Sequence, residues 1–184
     1  MGVNVELAAP TLLTAAHDLD AFDCGKPALN QWLQRHARQA HGSGSAKTFV
    51  TTNGHGEVCG YFSLTVGQVD VLDAPERIRK GLGHYPIPVM ILARLAVALK
   101  VQGCGIGGGL LQDAVTRTLA IAELAGIRAL LTHPIDADAA AFYRRHGFIA
   151  SPLHERQLLL LLKDARRVQE RLLQTVHEDP PGSG

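Results

Sequence analysis

The feature that most constrains this chain is a glycine-rich segment at residues 103–109, which holds five glycines. An apolar run at residues 89–97 precedes it and predicts a buried strand, and apolar residues at helical spacing follow it as far as Ala122. Glycine lets the backbone approach a ligand closely, and the first turn of a helix presents unpaired N–H groups at the positive end of its dipole. The segment therefore predicts a site for a phosphate-bearing ligand.

The spacing of the glycines distinguishes between the known kinds of phosphate-binding loop. A Walker loop requires Gly-Lys-Ser/Thr, and the glycines here are followed by leucine. A dinucleotide-binding loop requires an acidic residue at a strand end about 20 residues further on, and the candidate, Glu123, falls inside the predicted helix. The pattern Gln-x-x-Gly-x-Gly fits better, with Gln102, Gly105 and Gly107 at its fixed positions. A glycine-rich turn without a ligand is the alternative explanation.

The composition is that of an ordinary globular protein. The chain has 184 residues, of which 46% are hydrophobic and 19% charged. We expect a single domain over residues 1–176 and a flexible C-terminal tail over residues 177–184. The formal net charge of +1 does not indicate a nucleic-acid-binding protein, so any contact with RNA depends on local basic clusters. These clusters are Arg77, Arg79 and Lys80; Arg144, Arg145 and His146; and Arg166 and Arg167.

Cysteine and histidine usage argues against a metal site or a disulfide framework. The three cysteines are far apart, and the nine histidines form no metal-binding pattern. No apolar run reaches the roughly 18 residues of a membrane span, and no basic segment leads into an apolar run at the start. We therefore expect a soluble cytoplasmic protein with no metal and no membrane contact.

The order of the elements predicts an α/β protein in which a mixed central sheet is covered by helices on both faces. The sequence indicates a first helix, a hairpin, the apolar strand and its following helix, and then alternating strands and helices. The predicted ranges are a helix at 28–41, strands at 47–52 and 58–66, the strand at 89–97, a helix ending near Gly126, a strand at 127–132, a helix from Asp136 or Asp138 to Arg145, a strand at 157–163 and a helix from Asp164.

Several segments in this order resemble one branch of the GNAT family of acetyl-CoA-dependent N-acetyltransferases. The resemblance covers roughly residues 5–163 and extends well beyond the glycine segment. Its motifs are Phe-Asp-Cys-Gly at 22–25, Leu-Asn-x-Trp-Leu at 29–33, Thr-Phe-Val at 48–50, Gly-Tyr-Phe-Ser-Leu at 60–64, Arg-Leu-Ala-Val at 94–97, Asp-Ala at 113–114 and Ala-Phe-Tyr-Arg-Arg-His-Gly-Phe at 141–148. The branch is that of the GNAT toxins of bacterial toxin–antitoxin pairs.

The resemblance implies a cofactor, acetyl-CoA, and a role for each matching residue. Leu95, Ala96 and Val97 match the strand whose backbone pairs with the pantetheine arm, and Tyr143 matches the tyrosine beside the thioester sulfur. The residues that match the pyrophosphate loop are Gln102, Gly103, Cys104, Gly105, Ile106 and Gly107. Cys104 and Gly108 stand where the family often has basic residues, which puts full activity in question.

The resemblance also implies a substrate and partners. Toxins of this branch acetylate the α-amino group of aminoacyl-tRNA and stop translation, their antitoxins are ribbon-helix-helix DNA-binding proteins, and homodimers are common among them. The residues that we assign to tRNA contact are Lys47, Arg77, Arg79, Lys80 and Arg94. Arg94 interrupts an apolar strand, so it must either be paired within the protein or reach a cleft, and RNA phosphate is one candidate partner there.

The residues themselves favour an α-amine over a lysine ε-amine as the acceptor. The segment Val89–Val101 holds no Asp or Glu that could act as a general base. An α-amino group has a pKa near 7.7–8 and is partly neutral at physiological pH, whereas lysine, near 10.4, is almost wholly protonated. Tyr143 would then protonate the departing thiolate, with packing of its helix as the alternative role.

Two other functions stay open at this point. The chain could acetylate a small-molecule or protein amine, although its Phe-Asp-Cys-Gly segment is specific to the toxin branch. It could also be a degenerate GNAT protein that serves mainly as the binding partner of a DNA-binding antitoxin, which the absence of basic residues at Cys104 and Gly108 would allow.

Overall fold

The computed structural model describes residues 6–178, with the backbone alone for residues 171–178. Its strands are β1 (Thr11–Leu12), β2 (Lys47–Thr52), β3 (Val58–Val69), β4 (Ile87–Val97), β5 (Ala129–Thr132), β6 (Ile149–Ala150) and β7 (Leu158–Leu161), and they follow the order β1-β2-β3-β4-β5-β7-β6 in a sheet. The α/β class is therefore confirmed. No helix in the described part of the chain is both long and apolar enough to cross a membrane. The described residues divide into two compact units: those up to residue 67 together with 90–117, and residues 68–89 together with those from 118 onward.

The first unit contains the glycine-rich segment. Its antiparallel strands run from β1 through β2 to β3, and a buried hydrogen bond of 2.8 Å joins the hydroxyls of Thr48 and Ser63 across β2 and β3. The elements that lie wholly or partly in this unit are β1 (Thr11–Leu12), α1 (Pro27–Arg35), α2 (Ala37–Ser43), β2 (Lys47–Thr52), β3 (Val58–Val69), β4 (Ile87–Val97), a 3-10 helix (Leu99–Val101) and α4 (Ile106–Ala122).

Tyr61 is the centre of the core of this first unit. Its side chain is fully buried, and its hydroxyl donates a 2.8 Å hydrogen bond to the Leu29 carbonyl of α1. The Trp32 ring stacks on it at 6.1 Å, and the Phe22 ring meets its edge at 5.5 Å. Buried aromatic rings contribute a large share of the packing energy of a core, and a buried tyrosine hydroxyl needs a hydrogen-bond partner, which Leu29 supplies here. The contacts fix α1 against β3.

The second unit is built on two buried apolar strands. Every residue of β5 (Ala129–Thr132) and β7 (Leu158–Leu161) is buried, and the two strands pair antiparallel. A strand that is buried on both faces does not alternate between apolar and polar residues. The sequences of β5 and β7 are therefore almost continuously apolar. The remaining elements are a 3-10 helix (Val71–Asp73), α3 (Glu76–Arg79), α5 (Ala137–Arg145), β6 (Ile149–Ala150) and α6 (Leu162–Glu178).

Helix α5 begins as its capping residue predicts. The Asp136 side chain accepts a 2.8 Å hydrogen bond from the backbone N–H of Ala139, which satisfies one of the free donors of the first turn. Helix α6 begins at Leu162 instead of Asp164 and continues to Glu178. Of the predicted tail, residues 179–184 lie outside the described residues.

The predicted first helix is wrong in one respect. Instead of one helix over residues 28–41, the chain forms α1 and α2, which are interrupted at His36 with φ of −120° and ψ of −26°. No glycine or proline marks this position in the sequence, so the usual signal for a break is absent. The two-residue strands β1 and β6 were also not predicted, because strands this short leave no measurable pattern.

Candidate active site

The segment between β4 and α4 makes a tight turn that depends on glycine. Gly103 and Gly105 both have φ of +79°, in the left-handed region that other residues rarely adopt. A Cβ atom at Gly105 would meet nothing within 4 Å, so this position is open and its need for glycine comes from the backbone conformation. Residues 102–105 are exposed, and α4 begins at Ile106.

This turn leaves a row of backbone donors unpaired. Between residues 6 and 178, no backbone carbonyl accepts a hydrogen bond from the N–H groups of residues 103–108, and the first paired donor is Gly109, whose N–H reaches the Gly105 carbonyl at 3.1 Å. Unpaired donors at the start of a 17-residue helix lie at the positive end of its dipole. Unpaired N–H groups at a helix start are suited to binding an anion, so the phosphate site predicted from the sequence remains a prediction for this turn.

The side chain of Gln102 holds the turn in place. Its Nε2 donates to the Val97 carbonyl at 2.9 Å and to the Cys24 carbonyl at 3.0 Å. A glutamine is suited to this position because one amide nitrogen supplies two donors. The side chain therefore faces the protein, and only the backbone of Gln102 belongs to the exposed turn.

Cys104 does not add a basic side chain to the turn. Its thiol is exposed, and its Sγ lies 3.9 Å from the Gln102 carbonyl. Within the described residues, no group of three or more His, Cys, Asp or Glu side chains is arranged to hold a metal ion. Any phosphate bound at the turn would therefore be held mainly by backbone N–H groups.

The predicted pantetheine strand is the end of β4. Ala96 is buried, whereas Leu95 and Val97 are half-buried. After the strand, the Ala98 N–H donates to the Cys59 carbonyl of β3 at 2.8 Å. The neighbouring Gly60 of β3 fits closely, because a Cβ there would lie 3.1 Å from the Ala96 carbonyl. The strand end is thus held firmly before the turn begins.

Tyr143 lies in the second unit, on α5. Its side chain is 5% exposed and packs against Phe142 and Phe148, with ring centroids 5.2 and 5.3 Å away. Burial raises the pKa of Tyr143 to about 12, and a hydrogen bond with the Thr132 side chain partly opposes this. The phenol is therefore fully protonated at physiological pH, as a proton donor must be. Thr132 was not identified from the sequence, because it lies on a different element, β5, and no local pattern pairs it with Tyr143 on α5.

Arg94 stacks on an aromatic ring. Its guanidinium carbon lies 4.2 Å from the centre of the Trp32 ring, within the range of a cation–π interaction. Burial lowers the pKa of Arg94 from its usual value, yet a guanidinium keeps its charge at any physiological pH. Among the described residues, no carboxylate lies within 4 Å of its nitrogens. Within the described residues, the Arg94 guanidinium thus contacts a π system and no carboxylate.

The other predicted tRNA contacts differ in their availability. Arg77 forms a bidentate ion pair with Asp164, in which Nε donates to Oδ2 at 2.8 Å and Nη2 donates to Oδ1 at 2.6 Å. This pairing holds the pKa of Asp164 below its usual value. Lys47 is exposed and donates to the His41 carbonyl at 2.9 Å. Arg79 is half-buried and Lys80 exposed, and both stand at the end of α3. The charge of Arg77 is therefore the least available of these.

Comparison with known proteins identifies a matching family model and a similar curated protein. A family model for an acetyltransferase (GNAT) domain matches residues 44–150. A tRNA-acetylating toxin from Mycobacterium tuberculosis is 40% identical over 159 residues, which are 86% of this chain and 95% of the relative. The chain belongs to the GNAT acetyltransferase family. The predicted family and enzyme class are therefore confirmed.

Solved structures of GNAT toxins have the same fold. AtaT complexed with acetyl-methionyl-tRNAfMet superposes with a TM-score of 0.82 at 27% identity, over 89% of this chain and 99% of that one. A tyrosine-to-phenylalanine variant of AtaT, bound to the C-terminus of the antitoxin AtaR and to acetyl-CoA, superposes with a TM-score of 0.75 at 26% identity, over 89% and 97% of the two chains. The GNAT fold is thereby established along most of the chain.

The two hydrogen bonds of Gln102 make a prediction about stability and pH. Gln102→Glu places carboxylate oxygen against two carbonyl oxygens, so the free energy of unfolding near neutral pH should fall by about 1–3 kcal/mol. The introduced carboxyl should have a raised pKa in the folded state. Its stability deficit is then smallest below the unfolded pKa of about 4.3 and grows as pH rises through the folded-state pKa.

Urea unfolding near pH 4.5 and near pH 7.5 measures this effect. Gln102→Leu is the matched control, because it loses both hydrogen bonds without introducing a titrating group. Its deficit should be the same at both pH values. An equal deficit for Gln102→Glu at the two pH values would contradict the hydrogen-bond assignment.

Proposed function

We propose that this acetyltransferase moves the acetyl group of acetyl-CoA to the α-amino group of aminoacyl-tRNA and thereby blocks translation. The observation that carries the proposal is the 40% identity, over most of both chains, with a protein named as a tRNA-acetylating toxin. The structural likeness to AtaT complexed with acetyl-methionyl-tRNAfMet supports it. The same likeness supports acetyl-CoA as the donor, since an AtaT variant is bound to it.

The turn before α4 fits the pyrophosphate of acetyl-CoA. Its unpaired N–H groups suit the phosphate oxygens, and the left-handed glycines at 103 and 105 place no side chain beside them. We assign pyrophosphate binding to the backbone of Gln102, Gly103, Cys104, Gly105, Ile106 and Gly107. The backbone of Leu95, Ala96 and Val97 would pair with the pantetheine arm.

The acceptor amine must lose a proton, and the departing thiolate must gain one. Tyr143, held neutral by burial, is the residue that we assign to the second task. The segment Val89–Val101 offers no carboxylate for the first task. An α-amine needs less help than a lysine amine because a larger fraction of it is already neutral.

Basic side chains would hold the tRNA. Arg79, Lys80, Lys47 and Arg94 are the stronger candidates, and Arg77 is a weaker one because Asp164 already neutralises it. With a net charge of only +1, few phosphates would be contacted, so the salt dependence of binding should be shallow. Each contact contributes roughly −0.7 to −0.9 to the slope of log affinity against log salt concentration.

The partners of the proposed enzyme follow from its relatives. AtaT is solved with the antitoxin AtaR, and a protein antitoxin is accordingly proposed here. Three points stay predictions: the antitoxin is a ribbon-helix-helix protein, the enzyme is a homodimer, and residues 1–176 form one domain. Charged tRNA is a cytoplasmic molecule, so the proposed activity belongs to the cytoplasm.

Gly105→Glu tests whether acetyl-CoA binds at residues 102–107, the cofactor turn. The substitution puts a side chain and a negative charge beside the proposed pyrophosphate position, so the affinity for acetyl-CoA should fall strongly. Calorimetric titration with acetyl-CoA measures this. Gly44→Glu is the matched control, because Gly44 also has a positive φ, +78°, and a Cβ there would meet nothing within 4 Å. The Gly44→Glu protein should bind acetyl-CoA normally. Unchanged affinity in a folded Gly105→Glu protein would remove the turn from the cofactor site.

Tyr143→Phe tests the proton donor. It removes the hydroxyl and keeps the ring that packs against Phe142 and Phe148, so acetyl-CoA should bind nearly as before. Transfer at saturating acetyl-CoA should slow by about 10²–10⁴-fold, the usual contribution of general acid catalysis. Rapid-quench measurement of a single turnover gives this rate. Equal rates in the two proteins would leave Tyr143 a packing residue only.

Translation in a cell-free system tests the proposed function as a whole. The enzyme with acetyl-CoA should stop peptide synthesis, whereas the enzyme alone and the Tyr143→Phe protein should not. In the same system, Arg79→Glu combined with Lys80→Glu should require more enzyme for the same arrest. Continued synthesis beside active acetylation of free amines or protein lysines would favour the small-molecule or protein amine alternative.

A further inference from the structure

The Phe-Asp-Cys-Gly segment, residues 22–25, is bound directly to the chain that leads into the cofactor turn. The Leu99 N–H donates to the Asp23 carbonyl at 2.8 Å, and the Gln102 side chain donates to the Cys24 carbonyl at 3.0 Å. The Leu99 side chain also lies against Gly25, whose φ is +81°, and a Cβ at Gly25 would come within 3.0 Å of it. The carbonyls of Asp23 and Cys24 therefore hold Leu99 and Gln102, the residues that lead into the cofactor turn.

A second layer of hydrogen bonds holds residues 23–25 in this conformation. The Cys24 N–H donates to Asn30 Oδ1 at 2.8 Å. One carboxylate oxygen, Asp23 Oδ1, accepts from the Gly25 N–H and from Asn30 Nδ2, each at 2.8 Å. Asn30 lies on α1, which is anchored to β3 through the hydroxyl of Tyr61. The path from the core to the cofactor turn is thus continuous.

We infer that Asp23 and Asn30 are positioning residues that set the affinity for acetyl-CoA by aligning the turn at residues 102–107. The inference rests on the proposed function, since it requires that the turn binds the cofactor. Neither side chain needs to touch the ligand. Asn30 and Asp23 orient two carbonyls, these carbonyls fix Leu99 and Gln102, and Gln102 places the unpaired N–H groups. A loop held less firmly must be ordered when the ligand binds, which weakens binding.

A direct role for the charge of Asp23 is the competing explanation. Asp23 is exposed and lines a cavity of about 360 Å³ together with Glu57 and Lys100. The two roles differ in what they need from the side chain. Positioning needs one acceptor oxygen, which an asparagine also has. A direct effect of the carboxylate charge on the anionic coenzyme A would be repulsion, so loss of the charge would strengthen binding.

The main test is the affinity for coenzyme A, measured by calorimetry on the full chain. Asn30→Ala should raise the dissociation constant by about tenfold, since the Cys24 N–H loses its acceptor and Asp23 its donor. KM for acetyl-CoA should rise in parallel. The turnover number at saturating acetyl-CoA and KM for charged tRNA should stay within about twofold of the unmodified enzyme. A fall in the turnover number with unchanged affinity would overturn the inference.

Two substitutions at the exposed Asp23 separate the explanations. Asp23→Ala should weaken coenzyme A binding, and Asp23→Asn should restore it, because its amide oxygen accepts the same two hydrogen bonds. Equal loss in both would show that an acceptor oxygen at this position is not sufficient, and stronger binding in both would assign the effect to the charge; either result would contradict a positioning role. Normal binding in both would contradict it as well.

Ser151→Ala is the control for general destabilisation. Ser151 is buried in the second unit, where its hydroxyl bonds to the Asp73 carbonyl and accepts from two backbone N–H groups. Its substitution should lower the unfolding temperature and leave coenzyme A binding unchanged. If it weakened binding as much as Asn30→Ala does, the effect of Asn30 would be one of stability alone, and the inference would fail.

The Gly105→Glu protein shows which claim has failed. If Gly105→Glu weakens coenzyme A binding but Asn30→Ala does not, the cofactor turn is correctly assigned and only the positioning role is wrong. If neither weakens it, the cofactor turn itself is wrong.

Discussion

The turn between β4 and α4 must leave backbone donors exposed and unpaired while its own conformation stays fixed. These demands conflict, because a loop without internal hydrogen bonds has many conformations of similar energy. The chain meets both by holding the turn from outside. The Gln102 side chain bonds to Val97 on one side and to Cys24 on the other, and Gly103 and Gly105 supply the left-handed conformations. The donors beyond residue 102 then need no internal partner.

The proposed reaction, a group transfer from thioester to amine, needs a held donor and a proton for the leaving thiolate. For the cofactor, the proposed contacts are backbone N–H groups of the turn, so Cys104 can replace a basic residue there without changing the geometry of the turn. For the proton, the proposed donor is Tyr143, a phenol that burial keeps neutral, with a pKa of about 12.

Local signals allowed much of this to be predicted from the sequence. The glycine turn, the hairpin and the Asp136 cap all depend on residues that are neighbours along the chain. Interactions between distant residues could not be predicted in the same way. The ion pair that occupies Arg77 spans 87 positions along the chain, and the stacking of Arg94 on Trp32 joins a strand to a helix. Composition and spacing do not encode such pairs, so Arg77 looked as available as its neighbours.

The central claim is that the acetyl group reaches the α-amine of a charged tRNA. Its most direct test is mass spectrometry of total tRNA that has been incubated with the enzyme and isotopically labelled acetyl-CoA, then digested with nuclease. We expect the label on aminoacyl-adenosine, attached to the α-amino nitrogen, and none on uncharged tRNA. Label confined to free amines or to protein lysines, with aminoacyl-adenosine unmodified, would contradict the account.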